Sequence, residues 1–164
     1  MRAFVPFAVF CLSITPASAA NLVEIKDPAR LMESFSPRPP VRVLNVWATW
    51  CVPCVEEMED LQTISDTFGT RVSLLGISLD DMIPGDRTVT KQKVTKFLDS
   101  KRITYINIYY SGNSDALADK LRFNGEIPIT IIYDRHGRET WRQQGKLDRN
   151  KAIAAIRKQL GGNR

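Results

Sequence analysis

The stretch Trp47-Ala48-Thr49-Trp50-Cys51-Val52-Pro53-Cys54 contains two cysteines separated by two residues. A largely apolar, β-branched run at residues 41–46 precedes it, and a helix-like segment at residues 55–68 follows it. Open α/β sheets place functional groups where a strand is followed by a helix. Backbone N–H groups at a helix N-terminus favour a thiolate, so this position predicts a redox-active pair of cysteines.

Predicted strands and helices alternate through the rest of the chain and then end in a hairpin and a last helix. This order predicts an α/β fold with a mixed central sheet and helices on both faces. The strands are expected at 22–26, 41–47, 72–79, 103–110, 127–133 and 138–143, with the hairpin turn at 134–137. Helices are expected from Asp27, over 53–68, from Thr88 or Thr90, from Asn113 or Ser114, and from Asp148.

The bulk composition is that of one folded domain with a hydrophobic core. The chain has 164 residues, of which 43% are hydrophobic, and a formal charge of +5. A chain of this length can bury a sizeable core. The basic residues are scattered and are not interleaved with aromatic residues, so no nucleic-acid partner is expected.

The first nineteen residues have the pattern of an export signal. A positive charge at Arg2 is followed by an apolar segment and by the small residues Ala17-Ser18-Ala19. Residues 1–19 are predicted to be a cleaved signal peptide, with an uncleaved membrane anchor as the alternative, and residues 20–164 a single domain. Cleavage would leave only Cys51 and Cys54, which are too close together to connect distant segments. The pair is therefore expected to be functional.

Together with Ile127-Pro128 before a later strand, the Trp-Cys-x-Pro-Cys motif resembles the thioredoxin superfamily. More narrowly, the chain is similar to the exported thiol–disulfide oxidoreductases of the TlpA and ResA type. The resemblance covers about residues 41–160 and implies a thioredoxin-like fold. An additional helix and strand at about 81–110, before the proline that the family holds in the cis form, agree with this branch.

The resemblance implies a role for each residue of the Cys-x-x-Cys ring. Cys51 would be the exposed nucleophile that attacks a disulfide, and Cys54 the deeper cysteine that resolves the mixed disulfide. Val52 and Pro53 lie between them and would tune the stability of the thiolate. Pro53 also suits the first turn of a helix, since it has no N–H to leave unpaired.

Three further residues are expected to contact the substrate or to lie next to it. Pro128 resembles the cis-proline of the family, and Ile127 would offer its backbone to an extended peptide, as in strand addition. Trp50 adjoins the nucleophile and would form part of an apolar docking rim. Trp47, by contrast, is expected in the core.

Glu57 is the predicted proton-handling residue. It follows Cys54 by one helical turn, and a glutamate at the matching position in ResA-like proteins is implicated in proton handling. Partial burial would raise its pKa towards the range of a general acid or base. Two residues depart from relatives: Asn45 stands where thioredoxins carry a buried aspartate, and Glu59 replaces a proline that kinks the helix. Asn45 cannot exchange a proton, which leaves that task to Glu57 or water.

Other uses of the two cysteines fit less well. A structural zinc site needs four ligands, which two cysteines and one distant histidine cannot supply. Haem attachment needs a histidine directly after the second cysteine, and Val55 stands there. No metal and no other cofactor is therefore expected.

The direction of electron flow stays open at the level of sequence. The favoured interpretation is an extracytoplasmic, periplasmic reductant of protein disulfides, for example in cytochrome c maturation or protein assembly. A membrane thiol-electron carrier would then recharge it. The alternatives are an oxidant that forms disulfides from dithiol substrates and a non-catalytic chaperone-like or metallochaperone module.

Overall fold

A mixed six-stranded sheet forms the centre of the computed structural model, which describes residues 22–35 and 39–161. The strands are β1 Leu22–Ile25, β2 Val41–Trp47, β3 Val72–Ser78, β4 Ile106–Tyr110, β5 Ile129–Asp134 and β6 Glu139–Gln144. The α-helices are α1 Val52–Phe68, α2 Arg87–Ser100, α3 Ser114–Leu121 and α4 Arg149–Gly161. Shorter 3-10 helices are Pro28–Ser34, Gly69–Arg71 and Asp80–Met82.

The strand order is β1-β4-β3-β2-β5-β6. Strands β1 to β4 run parallel to one another, whereas β5 is antiparallel to both β2 and β6. The predicted additional helix and strand are α2 and β4, and β4 lies in the sheet between β3 and β1. The predicted α/β class, mixed sheet and insertion are thus confirmed.

Two apolar layers cover the two faces of the sheet. One contains residues of α1, α2 and α4, among them Met58, Leu98 and Ile156. The other contains residues of α3 and of the 3-10 helix at Pro28–Ser34, such as Leu117 and Leu31. Strand β2 has buried residues on both faces, which explains why its sequence is almost continuously apolar.

Two predicted boundaries and one predicted helix type were wrong. Helix α2 begins at Arg87 because Asp86 caps it, accepting a hydrogen bond of 3.1 Å from the Val89 N–H; Thr88 and Thr90 lie inside the helix. Strand β4 begins later than predicted because the Thr104 N–H donates to the Gln62 side chain rather than to the sheet. The first predicted helix is a seven-residue 3-10 helix. The predicted signal segment at 1–19 lies outside the described residues.

Candidate active site

The two cysteines lie at the N-terminus of α1 and form a disulfide. Cys51 is the N-cap residue, and its Sγ accepts a hydrogen bond of 3.3 Å from the Cys54 N–H. Cys51 exposes 7% of its surface and Cys54 none. The order of accessibility is the predicted one, although Cys51 is more covered than predicted. A thiolate on Cys51 would be stabilised by the same N–H and by the helix dipole.

The Ile127–Pro128 peptide bond is cis, as predicted, and lies beside the disulfide. The Ile127 carbonyl oxygen is 3.8 Å from the Cys51 Sγ. The Pro128 carbonyl accepts a hydrogen bond of 2.8 Å from Gly145, whose φ of 79° is in the left-handed region that favours glycine. This bond ties the start of β5 to the end of β6. The fold therefore brings the predicted substrate-contacting loop to the cysteine pair.

Three residues next to the cysteines, Trp50, Val52 and Pro53, form an exposed apolar rim. Trp50 is 47% exposed and Val52 67% exposed, and Pro53 is exposed as well. These exposed apolar side chains directly precede and follow Cys51 in the chain. This is the arrangement that a docking rim around a nucleophile requires.

Trp47 is fully buried, as predicted, and its indole packs against Phe97 of α2. Its Nε1–H donates to the Asn107 Oδ1 at 3.1 Å. Gly76, the neighbour of Asn107 in the sheet, leaves the room for this contact, because a Cβ there would lie 2.1 Å from that Oδ1. The pairing connects the inserted strand β4 to the strand that carries the active-site motif.

Glu57 is completely buried and lies one turn of α1 after Cys54. Its Oε1 accepts a hydrogen bond of 2.7 Å from the Asn45 Nδ2, and its Oε2 accepts one of 2.6 Å from the Leu147 N–H. Burial raises its pKa to about 7, although the two hydrogen bonds work in the opposite direction. Glu57 is buried even though the helix has Glu59 in place of a proline.

A small polar layer extends from Glu57 across the sheet. Asn45 also donates to the Thr130 Oγ1 at 3.1 Å, while its own Oδ1 is buried without a partner among the described residues. The Tyr105 hydroxyl is likewise buried and unpaired within that set. Burial, and then the charge of Glu57, raise the pKa of Tyr105. Thr130 and Tyr105 were not predicted as part of the site, whereas Asn45 was noted only for its inability to exchange a proton.

Asp80 is a second buried carboxylate that sequence reasoning missed. It is 3% exposed and accepts hydrogen bonds from the Thr49 N–H, the Thr49 hydroxyl and the Ser78 hydroxyl. Asp80 therefore anchors the loop that precedes Cys51 to the end of β3. The available signal was an acidic residue directly after a predicted parallel strand, where open α/β sheets place their sites.

Family comparison agrees with this geometry. Residues 37–160 match the Redoxin family, and the chain belongs to that family. The thiol:disulfide interchange protein DsbE of Allochromatium vinosum is 33% identical over 69 residues, which is 42% of this chain and 37% of that protein. DsbE of Vibrio cholerae is 25% identical over 128 residues, 78% of this chain and 62% of that protein. The chain thus spans less than two thirds of the length of both relatives.

A solved structure of a thioredoxin-related protein from Neisseria meningitidis serogroup B has the same fold. Its TM-score is 0.63 at 24% identity, over 79% of this chain and 90% of that one. The predicted resemblance to the thioredoxin superfamily and to its TlpA/ResA-like branch is confirmed. Within residues 22–35 and 39–161, no helix has the length and apolar character needed to cross a membrane.

Proposed function

We propose that this protein is an exported thiol–disulfide oxidoreductase that exchanges the Cys51–Cys54 disulfide with protein substrates. One observation carries the proposal: a disulfide at a helix N-terminus, with its first sulfur partly accessible and beside the Ile127 carbonyl. The names of the DsbE relatives, thiol:disulfide interchange proteins, support it.

The reductive reaction proceeds in two exchange steps. The Cys51 thiolate attacks one sulfur of a substrate disulfide, forming a mixed disulfide and releasing the other substrate sulfur as a thiolate. The Cys54 thiol then loses its proton and attacks the Cys51 sulfur. The Cys51–Cys54 disulfide forms, and the second substrate thiolate leaves. The substrate gains two electrons and, with two protons, becomes a dithiol.

Glu57 is the proposed acceptor of the Cys54 proton. It lies one turn along α1 from Cys54, and both side chains are fully buried. A pKa of about 7 lets the carboxyl group hold or release a proton near neutral pH. In the oxidative direction the same group would return the proton to Cys54.

The substrate chain is proposed to lie across the cysteine ring. Ile127 and Pro128 would supply backbone contacts to an extended peptide, in the manner of strand addition. Trp50, Val52 and Pro53 would form the apolar contact surface around the reacting sulfurs. Their exposure supports this assignment, because exposed apolar side chains that adjoin one another indicate an interaction surface.

The proposed direction is reduction, and the proposed compartment is the periplasm or another extracytoplasmic space. The signal-like pattern of residues 1–19 supports export of a single domain at 20–164. A membrane thiol-electron carrier would return the pair to the dithiol form. Cytochrome c maturation and periplasmic protein assembly are the processes in which such a reductant would act.

The reduction potential of the pair tests the direction. A value near or below the roughly −270 mV of thioredoxin is expected, whereas one near the roughly −120 mV of strong oxidants would show that the protein forms disulfides. Insulin reduction tests the chemistry itself, since intact activity in a Cys51→Ser variant would exclude the whole assignment. A Cys54→Ser variant should accumulate mixed disulfides and so identify substrates in cells.

A further inference from the structure

The turn between β6 and α4, at residues 144–147, contacts two separate parts of the candidate site. Near its start, the Gly145 N–H donates a hydrogen bond of 2.8 Å to the Pro128 carbonyl. At its end, the Leu147 N–H donates one of 2.6 Å to the Glu57 Oε2. The turn therefore joins the loop proposed to meet the substrate to the proposed proton acceptor.

Gln144, the last residue of β6, binds the substrate-contacting loop with its side chain. Its amide nitrogen donates one hydrogen bond to the Glu126 carbonyl and one of 3.3 Å to the Pro128 carbonyl. These carbonyls belong to the residues on either side of Ile127. Because a side-chain amide has two N–H donors, Gln144 can hold both carbonyls at the same time.

Ile127, between these two carbonyls, keeps its own backbone groups available. In the part of the chain that the structure describes, its N–H and its carbonyl form no hydrogen bond with another backbone group. The carbonyl oxygen lies 3.8 Å from the Cys51 Sγ, so a peptide linked to that sulfur would pass beside it. Gln144 thus holds the loop by its neighbouring carbonyls and leaves Ile127 open to an incoming strand.

Further contacts fasten the turn to itself and to α1. The Gln143 side chain spans the turn, since it donates to the Lys146 carbonyl and accepts a hydrogen bond of 3.2 Å from the Asp148 N–H. The Lys146 ammonium forms an ion pair of 2.6 Å with Glu56 of α1. A short turn that is held at several points moves as a unit, so a displacement at its start reaches its end.

We infer that Gln144 is a positioning residue that holds the Ile127 backbone where the substrate chain meets it, and that the turn beginning at Gln144 also positions Glu57. The inference rests on the proposed function. Groups that act on a substrate work only when supporting hydrogen bonds hold them within about 0.5 Å of the productive geometry. One short turn gives this support to both the substrate contact and the proton acceptor, so its distortion should alter both.

The first test separates substrate positioning from disulfide chemistry. In the reduced full chain, Gln144→Ala should lower kcat/KM for a disulfide-linked peptide dimer about fivefold, the size expected when hydrogen bonds between neutral groups are lost. The rate with 2-hydroxyethyl disulfide should stay the same, because that molecule has no peptide group to bind Ile127. Thr140→Ala is the matched control, since Thr140 is also exposed on β6 and its hydroxyl donates to a carbonyl of β5 at 3.3 Å.

The second test uses Gly145→Ala to distort the turn. Gly145 has a φ of 79°, which a residue with a Cβ adopts only with strain, although a Cβ there would meet no atom within 4 Å. The distortion should weaken the Leu147 hydrogen bond, which lowers the pKa of Glu57. The pH midpoint of the resolution step should therefore rise by about 0.5. Gly137→Ala, at the other end of the hairpin with a φ of 77°, should leave the midpoint unchanged.

Other titratable groups also act on Glu57, and they must be kept apart from the Leu147 bond. The charge of Asp60 on α1 raises the pKa of Glu57, the charge of Lys146 lowers it, and Tyr105 interacts with Glu57 from the segment before β4. Lys146 belongs to the turn and would move with it. The Gly145→Ala comparison is therefore repeated with Lys146→Gln in both chains, and the rise in the midpoint should remain.

The outcomes separate this inference from the proposed function. An equal loss for both disulfides in Gln144→Ala, or no loss at all, would overturn the positioning role. The same midpoint in Gly145→Ala and Gly137→Ala would overturn the link to Glu57. An unmodified protein that reduces neither disulfide would instead overturn the proposed function. Thermal unfolding checks each variant, and Gly145→Asn, which tolerates a positive φ better, replaces Gly145→Ala if that chain does not fold.

Discussion

Two carboxylates of the active-site region, Glu57 and Asp80, are buried, and they have different surroundings. Glu57, under Cys54, accepts two hydrogen bonds from nitrogen donors, an amide side chain and a backbone N–H. Asp80, beside Trp50, accepts hydrogen bonds from the hydroxyl groups of Thr49 and Ser78 and from the Thr49 backbone N–H. Glu57 comes from the helix, whereas Asp80 follows a strand and connects it to the loop before Cys51.

We propose that this difference separates proton transfer, at Glu57, from positioning, at Asp80. Burial raises the pKa of Glu57 to about 7, so this group can change its protonation in the working range of the enzyme. Asp80 instead accepts hydrogen bonds from Thr49 in the loop before Cys51 and from Ser78 at the end of β3. These bonds hold that loop in place. We expect changes at Glu57 to alter pH dependence and changes at Asp80 to alter the order of the loop.

The largest expected effect concerns the two sulfurs themselves. In the reduced protein, Cys51 should be alkylated on the order of 1,000-fold faster than Cys54, because only Cys51 is accessible and receives the Cys54 N–H. Mass spectrometry of iodoacetamide-labelled peptides after short reaction times measures both rates. Equal alkylation rates would contradict the assignment of Cys51 as the accessible nucleophile and Cys54 as the buried cysteine.

The second prediction is a fall in stability with rising pH. Glu57 has a pKa of about 7 in the folded protein against 4.5 for an ordinary carboxyl group, so the native state retains a proton that the unfolded chain has lost. This contribution is fully present below pH 4.5 and is lost as the pH rises to 7, by about 3 kcal/mol. Urea unfolding of the oxidised protein at pH 4.5, 6 and 8 measures it.

The matched variants for this prediction are Glu57→Gln and Glu56→Gln. Glu57→Gln should flatten the dependence between pH 4.5 and pH 7, since it removes the titrating group. Glu56 lies on the exposed side of α1 in an ion pair with Lys146, and its replacement should leave the slope in place. A slope that persists in Glu57→Gln would assign the effect to another group.

The third prediction concerns the rate of resolution. Glu57→Gln should slow the attack of Cys54 on the mixed disulfide by about 100-fold at pH 7, the usual contribution of a positioned general base. The defect should shrink above about pH 9, where the Cys54 thiol ionises without help. Stopped-flow kinetics with a Cys51-linked mixed disulfide, at pH 6 to 10, measures this step. A defect of the same size at every pH would indicate a structural role.

Sequence reasoning predicted the elements because their signals are local. The apolar run of β2, the cysteine motif and the proline of Ile127–Pro128 each lie within a few residues. The insertion was predicted for the same reason, through α2 and β4. Its boundaries were wrong where long-range bonds decided them, as at Thr104, whose N–H is taken by Gln62 of α1.

The site was predicted less completely, because it depends on contacts between distant segments. Glu57 was predicted from its spacing to Cys54 and from the resemblance to ResA-like proteins. Its partner Leu147 follows it by 90 residues and carries no signal, since the contact uses the backbone N–H. From the sequence, Asp80 was assigned only to a polar loop, because its partner Thr49 lies 31 residues earlier in the chain and the contact has no local signal. Trp50 and Val89 at the start of α2 likewise line one pocket, although they are distant in the sequence.

The smallest expected effect is at Asp80, where Asn keeps the shape but removes the charge. Hydrogen bonds to a charged group contribute about 1.5 to 3 kcal/mol, so Asp80→Asn should lose about 2 kcal/mol of stability. The backbone N–H of Thr49 should exchange with solvent faster, since its acceptor is weakened. Hydrogen exchange followed by NMR measures this amide directly.

Asp66→Asn is the control, because Asp66 lies exposed near the other end of α1, where it accepts a hydrogen bond from Gln62. It should change neither the stability nor the exchange of the Thr49 amide. The pH dependence of resolution should also stay the same in Asp80→Asn, because the proposed proton acceptor in that step is Glu57. If Asp80→Asn instead changed that pH dependence and left the Thr49 amide protected, the two carboxylates would not divide proton transfer and positioning between them.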